Sequence, residues 1–348
     1  MPVPAPRAFA AAGCGPPAEK AGPPVSGGHP AAFFGVPAAG GAGRNPLLPH
    51  VRLPEQGRGL GQLPRRHRAG HRLPDRPPVH RQAGGRGGRE VNPGPFDLAA
   101  TLTCGQCFRW EEGEDGSFSG VAGGRELTLS PLAPEKAAGA DPFWRRYFDL
   151  DLDYGALRQE LAALSPVLAE AAAFAPGIRI LNQEPWEALC SFILSQNNNI
   201  PRIKGIVARL CACFGQPLPG GGRSFPGPEA LAGLSPEDLA PLRCGFRARY
   251  VIDAAQKVCG GLNLEELRPL PLAEAREALM TITGVGVKVA DCTLLYGLHR
   301  LDAFPMDVWM KRAMAVLFPG KQPEDFGPAA GVAQQYIFHY SRCHPELF

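Results

Sequence analysis

Apolar and polar positions change their spacing along the chain. From residue 96, short β-prone runs at 103–110, 116–122 and 125–130 are separated by glycine and charged turns, which predicts an antiparallel meander. Apolar residues then recur at helical spacing over 142–148 and 154–173, which predicts helices. Strands therefore give way to helices soon after the patterned region begins.

The rest of the chain is predicted to be helical. After Pro176 no strand pattern is found, and helical periodicity continues to the end apart from a Pro/Gly-rich connector at 216–228. An apolar helix over 185–195 stops at three asparagines, 197–199, before a further helix begins at Arg202. The predicted fold class is α+β, an antiparallel β-sheet N-terminal domain followed by an all-helical unit.

The first ninety residues follow neither pattern. They are rich in Pro, Gly, Ala and Arg, so they cannot bury enough surface to fold. We predict a disordered extension at 1–90, a sheet-containing domain at 91–180 and a helical domain at 181–348. A basic DNA-tethering arm, an Arg-rich transit peptide and upstream sequence translated from a wrong start are alternative interpretations of the extension.

Net charge divides the chain at the same point. The formal net charge of +3 separates into +9 for residues 1–90 and −6 for the remainder. Nucleic-acid binding by the remainder must therefore depend on local basic clusters. The composition is 45% hydrophobic and 20% charged, without a long apolar run or a secretory signal pattern. It predicts a soluble intracellular protein, cytoplasmic in a bacterium and nuclear or mitochondrial in a eukaryote.

The ten cysteines do not form a metal-binding pattern. Cys104 and Cys107 make the only C-x-x-C pair, without the second pair or the His pair that a zinc site requires. The sequence also lacks the closely spaced set of four cysteines that would predict an iron–sulfur cluster. We therefore expect no metal and no cofactor, and reduced cysteines that are mostly buried.

A single lysine stands in an apolar, glycine-punctuated segment near the C-terminal end. The pattern predicts a helix at 272–282, a tight hairpin at Gly284 and Gly286 whose amides can bind phosphate, and a second helix at 288–298. Lys288 begins that second helix, where the helix dipole and apolar neighbours disfavour the ammonium form. A neutral amine is a nucleophile that forms Schiff bases. A surface lysine with a buried stem is the alternative.

Two further residues accompany Lys288. Cys292 is four residues on and therefore on the same helical face, where it can line a pocket. Asp307, nineteen residues after Lys288, lies in the apolar sequence F-P-M-D-V-W, where a free carboxylate is costly unless it is paired. We predict that Asp307 caps a helix beginning near Val308, a role that is compatible with catalysis.

Two local clusters favour an anionic partner. Cations follow Asn197 in the first turn of the next helix, at the unfavourable end of its dipole, and amide side chains can read base edges. The sequence R-C-G-F-R-A-R-Y at 243–250 interleaves cations with aromatic residues, as nucleic-acid binders do. A plain interhelical turn and a solvated helix start are the alternatives.

Five motifs carry a resemblance to a known family. T-G-V-G-V-K-V-A-D-C at 283–292 and F-P-M-D-V-W at 304–309 resemble the helix-hairpin-helix DNA glycosylase superfamily. C-G-Q-C-F-R-W at 104–110, Q-N-N-N-I-P-R at 196–202 and G-F-R-A-R-Y at 245–250 narrow the resemblance to 8-oxoguanine DNA glycosylases. The resemblance spans roughly 96–348. It implies a helix-hairpin-helix glycosylase unit, double-stranded DNA containing 8-oxoguanine as partner, and a monomer without membrane association.

The resemblance also implies a role for each matching residue. Lys288 would attack the deoxyribose anomeric carbon, expel the base and form a Schiff base that permits β-elimination, while Asp307 would stabilise the oxocarbenium charge. The extruded base would be bound by Gly105, Cys292, Gln334 and Phe338. The opposite cytosine and the DNA backbone would be contacted by Asn197, Arg202, Phe246, Arg247, Gly284 and Gly286.

Two positions depart from the family pattern. Phe246 stands where many members carry a Tyr wedge, and Trp309 stands where they carry a phosphate-contacting His. Phe246 can still stack but cannot donate a hydrogen bond, and Trp309 does not reproduce the histidine contact. A related glycosylase for another lesion and a non-catalytic helix-hairpin-helix DNA-binding protein are the alternative functions.

Overall fold

The computed structural model describes residues 95–348. The predicted extension at 1–90 lies outside these residues, as do the first four residues of the predicted sheet-containing domain. The described chain begins with a helix, a small sheet and four further helices. Their bounds are α1 Leu98–Thr103, β1 Trp110–Glu112, β2 Phe118–Ala122, β3 Arg125–Leu129, α2 Pro134–Gly139, α3 Pro142–Tyr147, α4 Tyr154–Ala162 and α5 Pro166–Phe174.

The three strands form an antiparallel sheet in the order β1-β2-β3. Trp110 pairs with Gly120, and a Cβ at Gly120 would lie 2.3 Å from the Trp110 ring, so only glycine fits under this indole. The Trp110 indole N–H donates to the Tyr147 hydroxyl at 3.0 Å. An aromatic cluster with Trp144 and Phe148 completes the core between the sheet and α3.

The predicted strand at 103–110 is wrong. Its first residue ends α1, and only Trp110 belongs to a strand. The cause is non-local, because the buried Gln106 amide donates to the Arg179 carbonyl at 2.8 Å and accepts from the Leu181 N–H at 2.9 Å. Gly105 before it has φ +93°. This segment is therefore held by a side-chain amide instead of a strand ladder.

The predicted helix at 154–173 is divided in two. Pro166 is the first residue of α5, and α4 ends at Ala162. Proline favours the first turn of a helix and disfavours helical geometry in the residue before it. The pattern therefore predicted the helical character correctly but missed the break.

The second part contains seven α-helices and short 3-10 turns, and beyond β3 the described residues contain no strand apart from an isolated bridge between Pro217 and Arg223. The prediction of a helical unit after the sheet is confirmed. The bounds of these helices are α6 Pro185–Ser195, α7 Ile200–Phe214, α8 Arg247–Cys259, α9 Leu272–Met280, α10 Val287–Tyr296, α11 Val308–Leu317 and α12 Ala330–Cys343. The 3-10 turns are Pro228–Ala230, Ala240–Leu242, Glu265–Leu267, Pro323–Ala329 and Pro345–Leu347.

The core of this part is built on α6 and α10, which pack against each other. Leu189 and Ile193 of α6 and Leu294 and Leu295 of α10 have no measurable exposure. Side chains buried this completely contribute about 1.5–3 kcal/mol each to stability. This packing sets the C-terminal end of α6 beside the N-terminal end of α10.

The hairpin between α9 and α10 is held by one ion pair across it and by a hydrogen bond to Asp253 of α8. Arg276 of α9 binds the buried Asp291 of α10 at 2.8 Å. Burial raises the pKa of Asp291 to about 6, although Arg276 acts in the opposite direction. Asp253 accepts from the Thr283 N–H at 2.7 Å and from Lys257 at 2.8 Å. The hairpin backbone is thus fixed to α8.

Residues 95–348 have three further features that bear on membranes, metals and thiols. No helix there is long and apolar enough to cross a membrane. No group of three or more His, Cys, Asp or Glu side chains is placed to hold a metal ion. Six of the nine cysteines in this part of the chain are buried, in line with the expectation that most of the cysteines are core residues.

Candidate active site

Lys288 lies where α10 begins beside the end of α6. Its ammonium donates to the Ser195 hydroxyl at 3.3 Å and stands 5.2 Å from the centre of the Phe192 ring. The Ser195 hydroxyl donates in turn to the Phe192 carbonyl at 2.8 Å. Within the described residues no carboxylate forms an ion pair with Lys288. The amine is therefore oriented by a neutral hydroxyl and an aromatic face.

Asp307 caps α11, as predicted. One carboxylate oxygen accepts from the Met310 N–H at 2.7 Å, the arrangement that satisfies a free amide of the first helical turn. The cap holds the carboxylate at the surface of the cavities that Lys288 also lines. Capping and a chemical role are therefore compatible in this geometry.

Two cavities meet at Lys288 and Asp307. The first, of about 570 Å³, is lined by both residues together with Gly105 and Phe338, and we call it the Phe338 cavity. The second, of about 630 Å³, is lined by both residues together with Gly286 and others, and we call it the hairpin cavity. The residues shared by the two linings are Ser195, Asn198, Lys288, Asp307 and Trp309. The lysine and the carboxylate thus stand on the boundary between the two spaces.

Aromatic side chains and backbone both line the Phe338 cavity. Phe108, Phe192 and Phe338 line it, and Gly105 from the turn after α1 contributes backbone. A Cβ at Gly105 would lie 3.3 Å from Ile200, and φ +93° there is strained for any other residue. Glycine therefore allows the backbone itself to form part of the wall.

Two predicted base-binding residues do not line this cavity. Cys292 is 3% exposed and Gln334 is 4% exposed. Burial raises the pKa of Cys292 to about 11, while Lys288 acts in the opposite direction. The Gln334 side-chain oxygen lies 3.4 Å from the Tyr296 hydroxyl, and Tyr296 stacks on the cavity residue Phe192 at 5.3 Å. Gln334 therefore lies behind the aromatic wall.

Arg247 braces the loop between α6 and α7, residues 196–199, which contains the three asparagines. Its guanidinium donates to the carbonyls of Gln196 at 2.8 Å, Asn197 at 2.9 Å and Cys244 at 3.1 Å, and the residue is only 3% exposed. Asn197 has φ +47°, a conformation asparagine tolerates better than most residues. Burial lowers the pKa of Arg247. The guanidinium of Arg247 therefore stabilises the backbone of this loop.

The other predicted DNA contacts lie near this loop or at the hairpin. Arg202 is exposed in the first turn of α7. Phe246 is 47% exposed and packs edge-on against Tyr250 at 5.7 Å. The Tyr250 ring in turn covers Gly284, where a Cβ would lie 2.4 Å away. Gly286 faces open space beside the hairpin cavity.

Several cavity residues were missed by the sequence analysis. Ser195 ends an apolar helix and has no distinguishing pattern of its own. Trp309, which the sequence analysis named only as a departure from the family pattern, lines both cavities, and its indole N–H donates to Ser341 at 2.9 Å. Arg342 lines the Phe338 cavity. The four-residue spacing from Phe338 to Arg342 could have indicated that both lie on one face of α12.

Comparison with known proteins decides the family. Residues 90–189 match the 8-oxoguanine DNA glycosylase N-terminal domain, and residues 190–325 match the HhH-GPD superfamily of base excision DNA repair proteins. The N-glycosylase/DNA lyase OGG1 of Arabidopsis thaliana is 31% identical over 277 residues, which cover 69% of this chain and 76% of that protein. The chain belongs to the 8-oxoguanine DNA glycosylase family.

Solved structures of this family have the same fold. MBOgg1 in complex with a low affinity DNA ligand is 43% identical, covers 72% of this chain and 93% of that chain, and has a TM-score of 0.66. The Clostridium acetobutylicum 8-oxoguanine glycosylase/lyase, bound to double-stranded DNA with cytosine opposite 8-oxoG, is 35% identical with the same coverage and TM-score. The chain spans only 40% and 64% of the matched N-glycosylase/DNA lyases from Saccharomyces cerevisiae and Methanothermobacter thermautotrophicus.

Proposed function

We propose that the protein is a bifunctional base-excision repair enzyme that removes 8-oxoguanine opposite cytosine from double-stranded DNA and then cleaves the abasic site. The observation that carries the proposal is the position of Lys288 and Asp307 on the boundary between the two cavities. A nucleotide whose base enters the Phe338 cavity would present its sugar to both residues. The family membership supports this chemistry for a chain with these two side chains.

In the proposed first step the neutral amine of Lys288 attacks C1′ of the damaged nucleotide. The C1′–N9 bond breaks, its electron pair leaves with the base, and a C–N bond to lysine forms. The sugar passes through an oxocarbenium-like state, which the Asp307 carboxylate stabilises electrostatically. The amine nitrogen then loses a proton, and the expelled base gains one from its surroundings.

The second proposed step uses the same covalent link. Ring opening protonates O4′ and leaves a Schiff base between C1′ and the Lys288 nitrogen. A base in the surroundings takes a C2′ proton, which expels the 3′ phosphate by β-elimination, and water then releases the enzyme from the unsaturated aldehyde. Strand cleavage therefore uses the same covalent link to Lys288.

Base recognition is assigned to the Phe338 cavity. Phe338 would stack on the extruded purine, and the Gly105 carbonyl would accept the N7 hydrogen that distinguishes 8-oxoguanine from guanine. Cys292 and Gln334 would contact the second ring face and the Watson–Crick edge. Because both are buried, their contact requires the wall near Phe192 to shift as the base enters.

The orphaned cytosine is assigned to Asn197, Arg202 and Arg247, with Phe246 filling the gap in the stack and the amides at Gly284 and Gly286 holding phosphate. Arg247 would then bind a cytosine acceptor in addition to the backbone carbonyls that it holds, or in exchange for one of them. Arg202 needs no such exchange because it is exposed. We expect the enzyme to act as a monomer on DNA, in the cytoplasm of a bacterium or in the nucleus or mitochondria of a eukaryote.

Borohydride trapping tests the function. Incubation with an 8-oxoguanine:cytosine duplex and borohydride should give a covalent protein–DNA adduct, and Lys288→Gln should abolish it. Lys311→Gln is the matched control, because Lys311 lines the hairpin cavity but lies on another helix, and it should retain the adduct. An adduct that persists in Lys288→Gln would overturn the proposed mechanism. A panel of lesions and opposing bases would separate 8-oxoguanine from any other preferred substrate.

A further inference from the structure

Two aromatic residues that line the cavities each have an arginine guanidinium over the ring. The Arg342 guanidinium stands 5.6 Å from the centre of the Phe338 ring, and the Arg312 guanidinium stands 5.9 Å from the Trp309 ring. Arg342 lines the Phe338 cavity only, whereas Arg312 lines the hairpin cavity only. The two arginines therefore serve different spaces.

Arg342 has no neutralising partner among residues 95–348. No carboxylate in this part of the chain forms an ion pair with Arg342, and its guanidinium lies over the face of the Phe338 ring. The charge of Arg342 also acts on the thiol of Cys104. Burial raises the pKa of Cys104, next to the cavity residue Gly105, to about 11, and the positive charge of Arg342 acts against that rise.

Two residues that line the Phe338 cavity have basic side chains, Lys288 and Arg342. Lys288 must be neutral to attack the sugar, so it cannot supply positive charge to the base at that moment. Arginine remains protonated under all physiological conditions, and its planar fork suits the carbonyl and ring acceptors of an oxidised purine. Arg342 is therefore the permanent cation of this cavity.

We propose that Arg342 contacts the departing base and stabilises the negative charge that it acquires when the C1′–N9 bond breaks. This inference rests on the proposed function and deepens it. The electron pair of that bond moves onto the purine, and the anion is spread over its ring nitrogens and carbonyl oxygens. A guanidinium aimed at those atoms lowers the barrier to excision. It has no role once the base has left, so β-elimination proceeds without it.

The experiment compares two reactions of the same variants. Single-turnover excision is measured on a saturating 8-oxoguanine:cytosine duplex, and β-elimination is measured on a duplex with a preformed abasic site. Arg342→Ala should slow excision at least about ten-fold, a modest value for loss of one electrostatic donor, and change β-elimination less than two-fold. Arg342→Lys should recover part of the excision rate because it keeps the charge.

Arg312→Ala is the matched control. It removes the equivalent arginine from the hairpin cavity, and any loss of rate that follows from weaker DNA binding should be the same in both reactions. An unchanged excision rate in Arg342→Ala would overturn the inference, as would an equal loss of excision and β-elimination. Failure of the wild-type protein to excise 8-oxoguanine would instead overturn the proposed function and this inference with it.

Discussion

The guanidinium of Arg247 at the start of α8 donates to the carbonyl of Gln196 at the end of α6, 51 positions earlier in the chain. It also holds the next carbonyl, that of Asn197, whose backbone is left-handed. The loop proposed to read the opposite strand is therefore shaped by a residue that is proposed to read the same base. Loop geometry and recognition are coupled through one side chain.

Arg247→Ala should therefore weaken the preference for cytosine opposite the lesion and also destabilise the fold. We expect a loss of about 1–3 kcal/mol in the free energy of unfolding, because the carbonyls of Gln196, Asn197 and Cys244 lose the donors of a buried side chain. Urea unfolding and excision rates with each opposing base measure the two effects. Arg202→Ala is the control, since that exposed side chain should affect discrimination and leave stability unchanged. Unaltered discrimination in Arg247→Ala would contradict the assigned role.

Two substitutions of Asp307 separate its role as a helix cap from its proposed role in catalysis. Asparagine is as good an N-cap as aspartate, so Asp307→Asn should keep stability and DNA binding but slow excision by about 100-fold through loss of the charge. Asp307→Ala should lose the same rate and, in addition, about 1 kcal/mol of stability. Thermal unfolding and single-turnover kinetics distinguish them. If Asp307→Asn also collapsed binding and stability, the cap would be the dominant role.

Local patterns predicted the parts of the site that depend on local physics. The apolar helix at 185–195 and the cap at Asp307 were correct because periodicity and capping act within a few residues. The predicted strand at 103–110 was wrong, because the Gln106 side-chain amide forms hydrogen bonds with backbone groups more than seventy positions away.

The cavities were beyond a local analysis for the same reason. Ser195 ends α6 and Arg342 lies near the end of α12, and the two meet only in the lining of the Phe338 cavity. No single stretch of sequence contains that information. The burial of Gln334 and Arg247 was equally absent from the local pattern. A family motif indicates which residues have a role, but not which of them must move before they can perform it.

The two hairpin glycines should respond differently to alanine. At Gly284 the backbone has φ +79° and a Cβ would meet the Tyr250 ring at 2.4 Å, so Gly284→Ala should cost about 1–3 kcal/mol of stability. Gly286 has φ −102° and open space around it. Gly286→Ala should therefore fold normally and weaken DNA binding by crowding the phosphate site. Thermal unfolding and duplex titrations check both, and a strongly destabilised Gly286→Ala would contradict this account.

The buried pair of Arg276 and Asp291 predicts a pH effect on stability. Burial raises the folded-state pKa of Asp291 to about 6 from an ordinary value of 3.8. Between these values the folded protein binds more protons at this site than the unfolded chain, so the contribution of Asp291 to stability falls as pH rises through the interval. The effect is at most ~3 kcal/mol. Asp291→Asn removes this titration, so the melting-temperature difference between wild type and variant should change from pH 4 to pH 6 and then level off. A difference independent of pH would show that burial of the carboxylate does not favour its protonated form.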